Sequence, residues 1–338
     1  MEEVCRIAHN TLSGIVVEVC DAIYKILAPE YIVLPTCSEE WTRISDEFQE
    51  IWDYHRGLGA LDGKHCKIMA PPRSGSVFYN YKNYYSFVLL ALGDAKANFL
   101  YIDVGQAGAS NDSGIYNRSK LNQMRQQGQL NLPEVPQGDT LDVQHHFLGD
   151  DAFAMADTLF KPYPSDSVEE YKRTFNYRHS RARRIIESTF GILCHRFPVI
   201  FGPIRQQYQQ AVKTVQACCV LHNFLNRHMG LSREEKEALE AEEEPRMVNT
   251  DPIHHVAQNP DEHEQRKRLA QFYMSQEGQI TKFDQNTRIK RTSRREVGNG
   301  QQHAAAAADS DASSDGGDGH DGAAADAAVS GAASGDGE

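Results

Sequence analysis

The chain has no hydrophobic run long enough to cross a bilayer. Its longest uninterrupted apolar stretch, Phe87 to Leu92, is strand-sized, against the roughly 18 residues that a membrane helix needs. No secretory leader is visible, because Met1-Glu2-Glu3-Val4 opens acidic. The seven cysteines are odd in number, scattered, and contain no CxxC pair. That pattern speaks against a disulfide framework and for reduced thiols in an intracellular setting. Tandem repeats of the solenoid kind are also absent. Acid is missing from Gly63 to Gly93, where Lys64, Lys67, Arg73 and Lys82 stand without a counter-charge in sequence. It is nearly missing from Arg173 to Arg205, where seven arginines meet a single acid, Glu187.

What the chain does have is unevenly spread. The formal net charge is −12, but residues 301–338 hold seven Asp, one Glu and no Lys or Arg. They contribute −8 and leave −4 for the first 300 residues. Ala304 to Glu338 is built mainly from Ala, Asp, Ser and Gly, has almost nothing to bury, and is expected to be disordered. The basic cluster Arg288-Ile289-Lys290-Arg291-Thr292-Ser293-Arg294-Arg295 is a candidate import signal. The expected location is the nucleus, with the cytoplasm as a second compartment.

Apolar residues from Val4 to Ile23 recur at three- and four-residue intervals and predict a helix over 4–27, with Asn10-Thr11 as a cap or break. Pro29 and Pro35 punctuate a loop. Ser38 to Trp52 reads as a second helix with Ser38 as N-cap. Strands are expected over Gly59–Met69, Tyr84–Leu92, Phe99–Val104 and Gln144–Leu148, the second and third as an antiparallel hairpin. Asn111-Asp112-Ser113 opens a helix to about Gln127. Ala152 to Leu159 reads as a short helix, Ser167 to Asn176 as helix or loop, and Ser180 to Phe197 as a clear amphipathic helix stopped by Pro198. Val212 to Leu225 is a core helix. Its Cys218, Cys219 and His222 have the chemistry of zinc ligands, but cysteine also packs as a small hydrophobe. Glu234 to Glu244 and Arg266 to Tyr273 read as further helices. The expected domains are a helical region over 1–55, an α/β domain over 56–228, a charged extension over 229–300 and the acidic tail over 301–338.

Three acids sit in distinct local frames. Asp62 lies in Gly59-Ala60-Leu61-Asp62-Gly63-Lys64-His65, Asp150 in Phe147-Leu148-Gly149-Asp150-Asp151, and Glu187 in Arg183-Arg184-Ile185-Ile186-Glu187. The order of three antiparallel strands, a helix, a fourth strand and more helices is that of an RNase H-like α/β domain. There the first and fourth strands are neighbours, which brings Asp62 beside Asp150 and lets a helix deliver Glu187. Carboxylates gathered this way repel one another unless a cation neutralises them. Their oxygens suit Mg²⁺ and Mn²⁺, and a two-metal acidic site serves phosphodiester cleavage. For Glu187 an intrahelical ion pair with arginine is the competing reading.

A set of segments, in order, resembles the PIF/Harbinger transposase family, including the Harbinger transposase-derived nucleases. They include the Asp62 frame, Tyr79-Asn80-Tyr81-Lys82, Asp103-Val104-Gly105, Asn111-Asp112-Ser113-Gly114, Phe147-Leu148-Gly149-Asp150, Phe175-Asn176-Tyr177-Arg178 and Cys218-Cys219-Val220-Leu221-His222-Asn223-Phe224. The resemblance runs from about residue 10 to residue 228. It implies a DDE-type nuclease using a divalent metal cation, Mg²⁺ or Mn²⁺, with Asp62, Asp150 and Glu187 as catalytic acids and Asp112 as a further ligand. One metal held by Asp62 and Asp150 would activate water, and another near Glu187 would stabilise the leaving 3′ oxygen. Asp112 is equally placed to be a helix cap, and Asp151 competes with Asp150 for the inward face. Lys64, Lys82, Arg181, Arg183 and Arg184 are expected on DNA phosphates.

The family's helix-turn-helix is represented only by Asn10 to Leu27, so the expected partners are DNA and a separate Myb-like DNA-binding protein, with a homo-oligomer also compatible and no membrane. The rival reading is a domesticated nuclear DNA-binding or adaptor protein without catalysis. A phosphatase for small substrates is the weaker alternative, given the arginine-rich flank.

Overall fold

The computed structural model describes residues 7–135, 137–240 and 260–279. The basic cluster at 288–295 and the acidic tail lie outside the described residues. The elements in chain order are α1 (His9–Tyr31), α2 (Ser38–Trp52), β1 (Gly57–Lys67), β2 (Ser86–Gly93), β3 (Phe99–Ala107), α3 (Asp112–Arg118), α4 (Lys120–Gln126), β4 (His146–Leu148), β5 (Leu159–Phe160), α5 (Glu170–Arg196), α6 (Tyr208–Met229), α7 (Arg233–Glu240) and α8 (Pro260–Phe272).

The strands form one mixed sheet in the order β3-β2-β1-β4-β5. β1, β2 and β3 pair antiparallel, while β4 runs parallel to β1 and β5 parallel to β4. This is the expected RNase H-like arrangement of a mixed sheet flanked by helices. β2 is buried along its whole length, which fits a central strand covered on both faces. Alternation splits its side chains between two cores. Phe87, Leu89 and Ala91 face one cluster with Ala60, Cys66, Ile185, Ile186 and Val215. Val88, Leu90 and Leu92 face the other, with Leu58, Leu61, Trp41, Ile115 and Leu121. The first face therefore meets α5 and α6, and the second meets α3 and α4.

Several local expectations change. Ser38 is the first helical residue of α2, and Cys37 occupies the N-cap position in an extended conformation. Asn10, Thr11 and Pro29 all lie inside α1 rather than at a break or in a loop. The helix expected over 111–127 is two short helices, because the backbone turns extended at Ser119. Ser119 ends the first helix and caps the second, accepting from the Asn122 backbone N–H at 3.2 Å. Residues 152–159 are turns leading to β5, not a helix. Phe147 N–H donates to Thr158 O at 2.8 Å and Gly149 N–H to Phe160 O at 2.9 Å, so β4 recruits the segment into the sheet.

α5 starts at Glu170 and absorbs the ambiguous 167–176 stretch. The Asn176 amide accepts from Tyr163 N–H at 2.7 Å and donates to Tyr163 O at 2.9 Å, pinning the helix start to the chain after β5. Glu235 of α7 is buried against the Arg196 guanidinium, with oxygens at 2.6 and 2.7 Å, so this acid-rich helix has one anchored face. α8 packs on α5, and its Arg266 holds the segment after β5, donating to Lys161 O and Pro162 O at 3.0 and 3.1 Å and lying 3.9 Å over the Tyr163 ring.

The Asn223 side chain closes the first core at the edge strand. It accepts from Phe99 N–H at 2.9 Å and donates to Phe99 O at 2.8 Å and Tyr31 O at 2.6 Å. One amide thus ties α6, β3 and the end of α1. Asn223→Ala strands two buried backbone groups and is expected to lower stability by about 2 kcal/mol in denaturant unfolding. A change under about 0.5 kcal/mol, the size of a surface substitution, would contradict this role.

Candidate active site

The sheet register sets two of the aspartates side by side. Ala60 pairs with Leu148 across the parallel β1–β4 ladder. Two residues further along each chain come Asp62 and Asp150, on the face that carries Ala60 and Leu148. That is the face covered by α5. Asp112 comes from α3, which packs on the other face of the sheet, and approaches β1 at Gly63, the residue after Asp62. A methyl group built on Gly63 would lie 2.3 Å from Asp112 Oδ1, so the carboxylate rests directly on the β1 backbone beside Asp62. Only a residue without Cβ permits that approach. The Asp112 cap reading is resolved by its neighbour: Asn111 is the N-cap, accepting from Gly114 N–H at 2.8 Å, and Asp112 is left to face the strand.

Electrostatics confirms that the acids feel one another. Burial, reinforced by Asp150, Asp112 and Glu187, pushes Asp62 up to about 7, against the pull of Arg183. Burial and Asp150 push Asp112 up to about 6, against Lys82. Asp150 is also raised, chiefly by burial, while Arg183 and the Ala152 N–H hold it down. Asp151 answers to burial and to Lys161 and Arg183. Asp62 and Asp112 both sense Asp150, which is therefore the member of the pair turned to the cluster.

Arg183 supplies the positive charge inside the group. Burial opposes its charge, yet Glu187, Asp62 and Asp150 together raise its pKa. Its guanidinium forms an ion pair with Glu187 one turn along α5. Glu187 is 48% exposed and lies at the mouth. The intrahelical ion pair is present, and Arg183 couples Glu187 electrostatically to Asp62 and Asp150. Lys64 shares the Asp62 face, with its Nζ 5.9 Å from the Phe190 ring centroid on α5. Arg181 and Arg184 are partly buried on α5. The strongest cationic influences on the three aspartates come from Arg183 and Lys82.

The donor chemistry suits a hard divalent cation: carboxylate oxygens, three of them in groups whose charge is disfavoured without one. Among the described residues, however, no three His, Cys, Asp or Glu side chains lie close enough together to hold a metal ion. Arg183 takes the neutralising role in this arrangement. His222 Nε2 donates to Ala97 O at 2.7 Å, and Cys218 and Cys219 are buried in the core cluster, so this trio packs rather than faces solvent.

Residues 61–223 match the family described as DDE superfamily endonuclease. "Putative nuclease HARBI1" of Homo sapiens is 24% identical over 232 residues, 68% of this chain and 62% of that protein. The Mus musculus protein of the same name is 25% identical over 228 residues, 66% of this chain and 61% of that one. "Protein ALP1-like" of Arabidopsis thaliana is 25% identical over 186 residues, 54% of this chain and 46% of its own length. The expected kinship with the PIF/Harbinger family holds. The chain carries a DDE superfamily endonuclease domain, and its match spans less than two thirds of these relatives. No solved structure matches. Asp62, Asp112, Asp150 and Glu187 all fall inside the matched segment.

Two features escaped the sequence reading. Arg183, expected on phosphate, is also coupled to the carboxylates of Glu187, Asp62 and Asp150. Gly63 makes the room for Asp112, and its only sequence signal is a glycine directly after the strand acid.

Two outcomes follow from this geometry. Gly63→Ala is expected to fold, since a carboxylate at the end of a side chain can swing away, but to displace Asp112 and remove divalent-cation binding measured by calorimetry. Unchanged cation binding would contradict the placement. Asp62 holds its proton more tightly folded than unfolded, where its value is about 4. Between about 4 and about 7 the folded chain carries the extra proton, so its contribution falls as pH rises through the folded value. Asp62→Asn is therefore expected to gain stability over the parent as pH climbs from about 4, levelling above about 7, in metal-free denaturant titrations. A pH-independent difference would contradict the raised carboxyl.

Proposed function

We propose that the protein is a divalent-cation-dependent endonuclease that hydrolyses DNA phosphodiester bonds at the Asp62–Asp150 site. What supports this reading is the placement of Asp62 and Asp150 at neighbouring strands under α5, coupled to Arg183 and Glu187, with Asp112 against Gly63 of the same strand. Asp62 and Asp150 would hold the cation, Asp112 would lie beside them, and Glu187 would serve from the rim. When bound, Mg²⁺ or Mn²⁺ supplies water activation and charge stabilisation at the phosphate.

The rest of the work falls to the chain itself. A bound cation would favour the ionised forms of Asp62, Asp112 and Asp150, whose charge burial disfavours. Arg183 is positioned to exchange carboxylate for phosphate oxygens, for which a planar guanidinium is equally suited. Lys64, Lys82, Arg181 and Arg184 face the polyanion as non-specific backbone contacts, so binding weakens with salt. Choice of DNA ends falls to a separate Myb-like partner, and the protein works in the nucleus.

One observation favours a second reading. The Arg183–Glu187 ion pair and the absence, among the described residues, of a ready three-donor group suit a DNA-binding adaptor without catalysis.

Nicking of supercoiled plasmid separates the two. The protein is expected to nick in Mg²⁺ or Mn²⁺ and not in EDTA. Asp62→Ala and Asp150→Ala are expected to lower the rate about 10³-fold or more, the scale of several kcal/mol of lost charge stabilisation. DNA binding with no nicking in either metal would establish the adaptor instead.

A further inference from the structure

The β1–β2 connection ends in a hydrogen-bonded tip. Asn80 N–H donates to Tyr84 O at 3.0 Å and Asn83 N–H to Asn80 O at 3.1 Å, closing a tight turn with Asn83 at φ 62°. The Asn80 side chain is buried and locks the turn from inside. Its Oδ1 accepts from Lys82 N–H at 2.9 Å and Tyr84 N–H at 3.2 Å, and its Nδ2 donates to Ser86 Oγ at 2.8 Å. Ser86 Oγ also bonds His65 Nδ1 at 2.9 Å. Below the turn, Ser86 N–H donates to Phe78 O at 2.7 Å and Ala109 N–H to Val77 O at 3.1 Å. The base of the connection is thereby fastened to β2 and to the loop after β3.

At the end of this scaffold stands Tyr81, 77% exposed. Its ring meets the edge of His65, with centroids 5.5 Å apart, and Lys82 Nζ lies 5.4 Å from its centroid. A large apolar ring held out in water by a built, hydrogen-bonded turn is a poor use of a tyrosine for stability. The tip is also close to the carboxylates. His65 and Gly63 share one face of β1, two residues and about 7 Å apart, and Asp112 rests on Gly63. Lys82 is in turn the cation that Asp112 senses. The Tyr81 ring therefore stands on the Asp112 side of the candidate site, beside the lysine that acts on Asp112.

We propose that Tyr81 is a stacking platform for an unpaired base flanking the scissile phosphate, with Lys82 on the adjoining phosphate. An exposed ring next to a lysine is the combination that holds single-stranded DNA, because every base offers a π-face while the backbone offers charge. A base inside an intact duplex has no free face. The substrate is then DNA that is locally unpaired beside the cut, such as a frayed or distorted junction. This inference rests on the nuclease reading for the identity of the polymer.

The test is fluorescence anisotropy with a 5′-fluorescein oligonucleotide, single-stranded or fully paired, in EDTA so that nothing is cut. Tyr81→Ala is expected to weaken single-strand binding about 5- to 150-fold, the range for losing one base–aromatic stack. Fully paired DNA is expected to change far less, and Tyr81→Phe is expected to bind like the parent. Equal single-strand affinity for Tyr81→Ala and the parent overturns the platform and leaves the nuclease reading standing. No binding of either DNA by the parent overturns both.

Discussion

Like charge held at close quarters is the constraint from which the rest of the site follows. The β1–β4 pairing, which ends at Ala60 and Leu148, leads Asp62 and Asp150 out at neighbouring strand ends, and a missing side chain at Gly63 lets Asp112 approach the same strand. The fold answers with proton uptake, seen in the raised Asp62 and Asp112 carboxyls, and with Arg183, delivered on α5. A site so arranged is poised to take a stronger cation than a guanidinium. The tension between the carboxylates is a store of binding energy that only such a cation releases in full.

Much of this was legible in the chain because it depends on periodicity and order. Alternation along β1 puts Asp62 and Lys64 on one face, and Lys64 does lie against Phe190 of α5. The succession of elements made β1 and β4 neighbours, and it placed Glu187 on the helix above them. What was hidden depends on tertiary partners. Ala152 to Leu159 has a helical composition, but β4 has open backbone groups that bind Thr158 and Phe160. Ser38 looks like a cap, yet Cys37 takes the extended position before it. Asn111 and Asp112 are adjacent and chemically alike, and only the approach of α3 to Gly63 decides which one caps. Arg183 could not be told from Arg181 or Arg184 by pattern, since all three sit in one basic helix.

The kinship with PIF/Harbinger proteins and the physical reading meet at the same residues but carry different weight. The family match over residues 61–223 carries the likeness to DDE superfamily endonucleases, while the placement of the acids is what the proposed chemistry rests on. The rigid Tyr81 tip extends the site along one side of β1, and the arginines of α5 extend it along the other. Between them they form a track with a negative centre and positive flanks, the polarity expected of a surface that needs both a cation and a polyphosphate.

The central claim is that Asp62 and Asp150 share one cation. Anomalous diffraction from crystals grown with Mn²⁺ tests it most directly. The account predicts a manganese peak at ligand distance, about 2.0–2.2 Å, from oxygens of both side chains, with the Arg183 guanidinium moved off them. A peak elsewhere, or none at saturating Mn²⁺ with the two carboxylates facing apart, would contradict it.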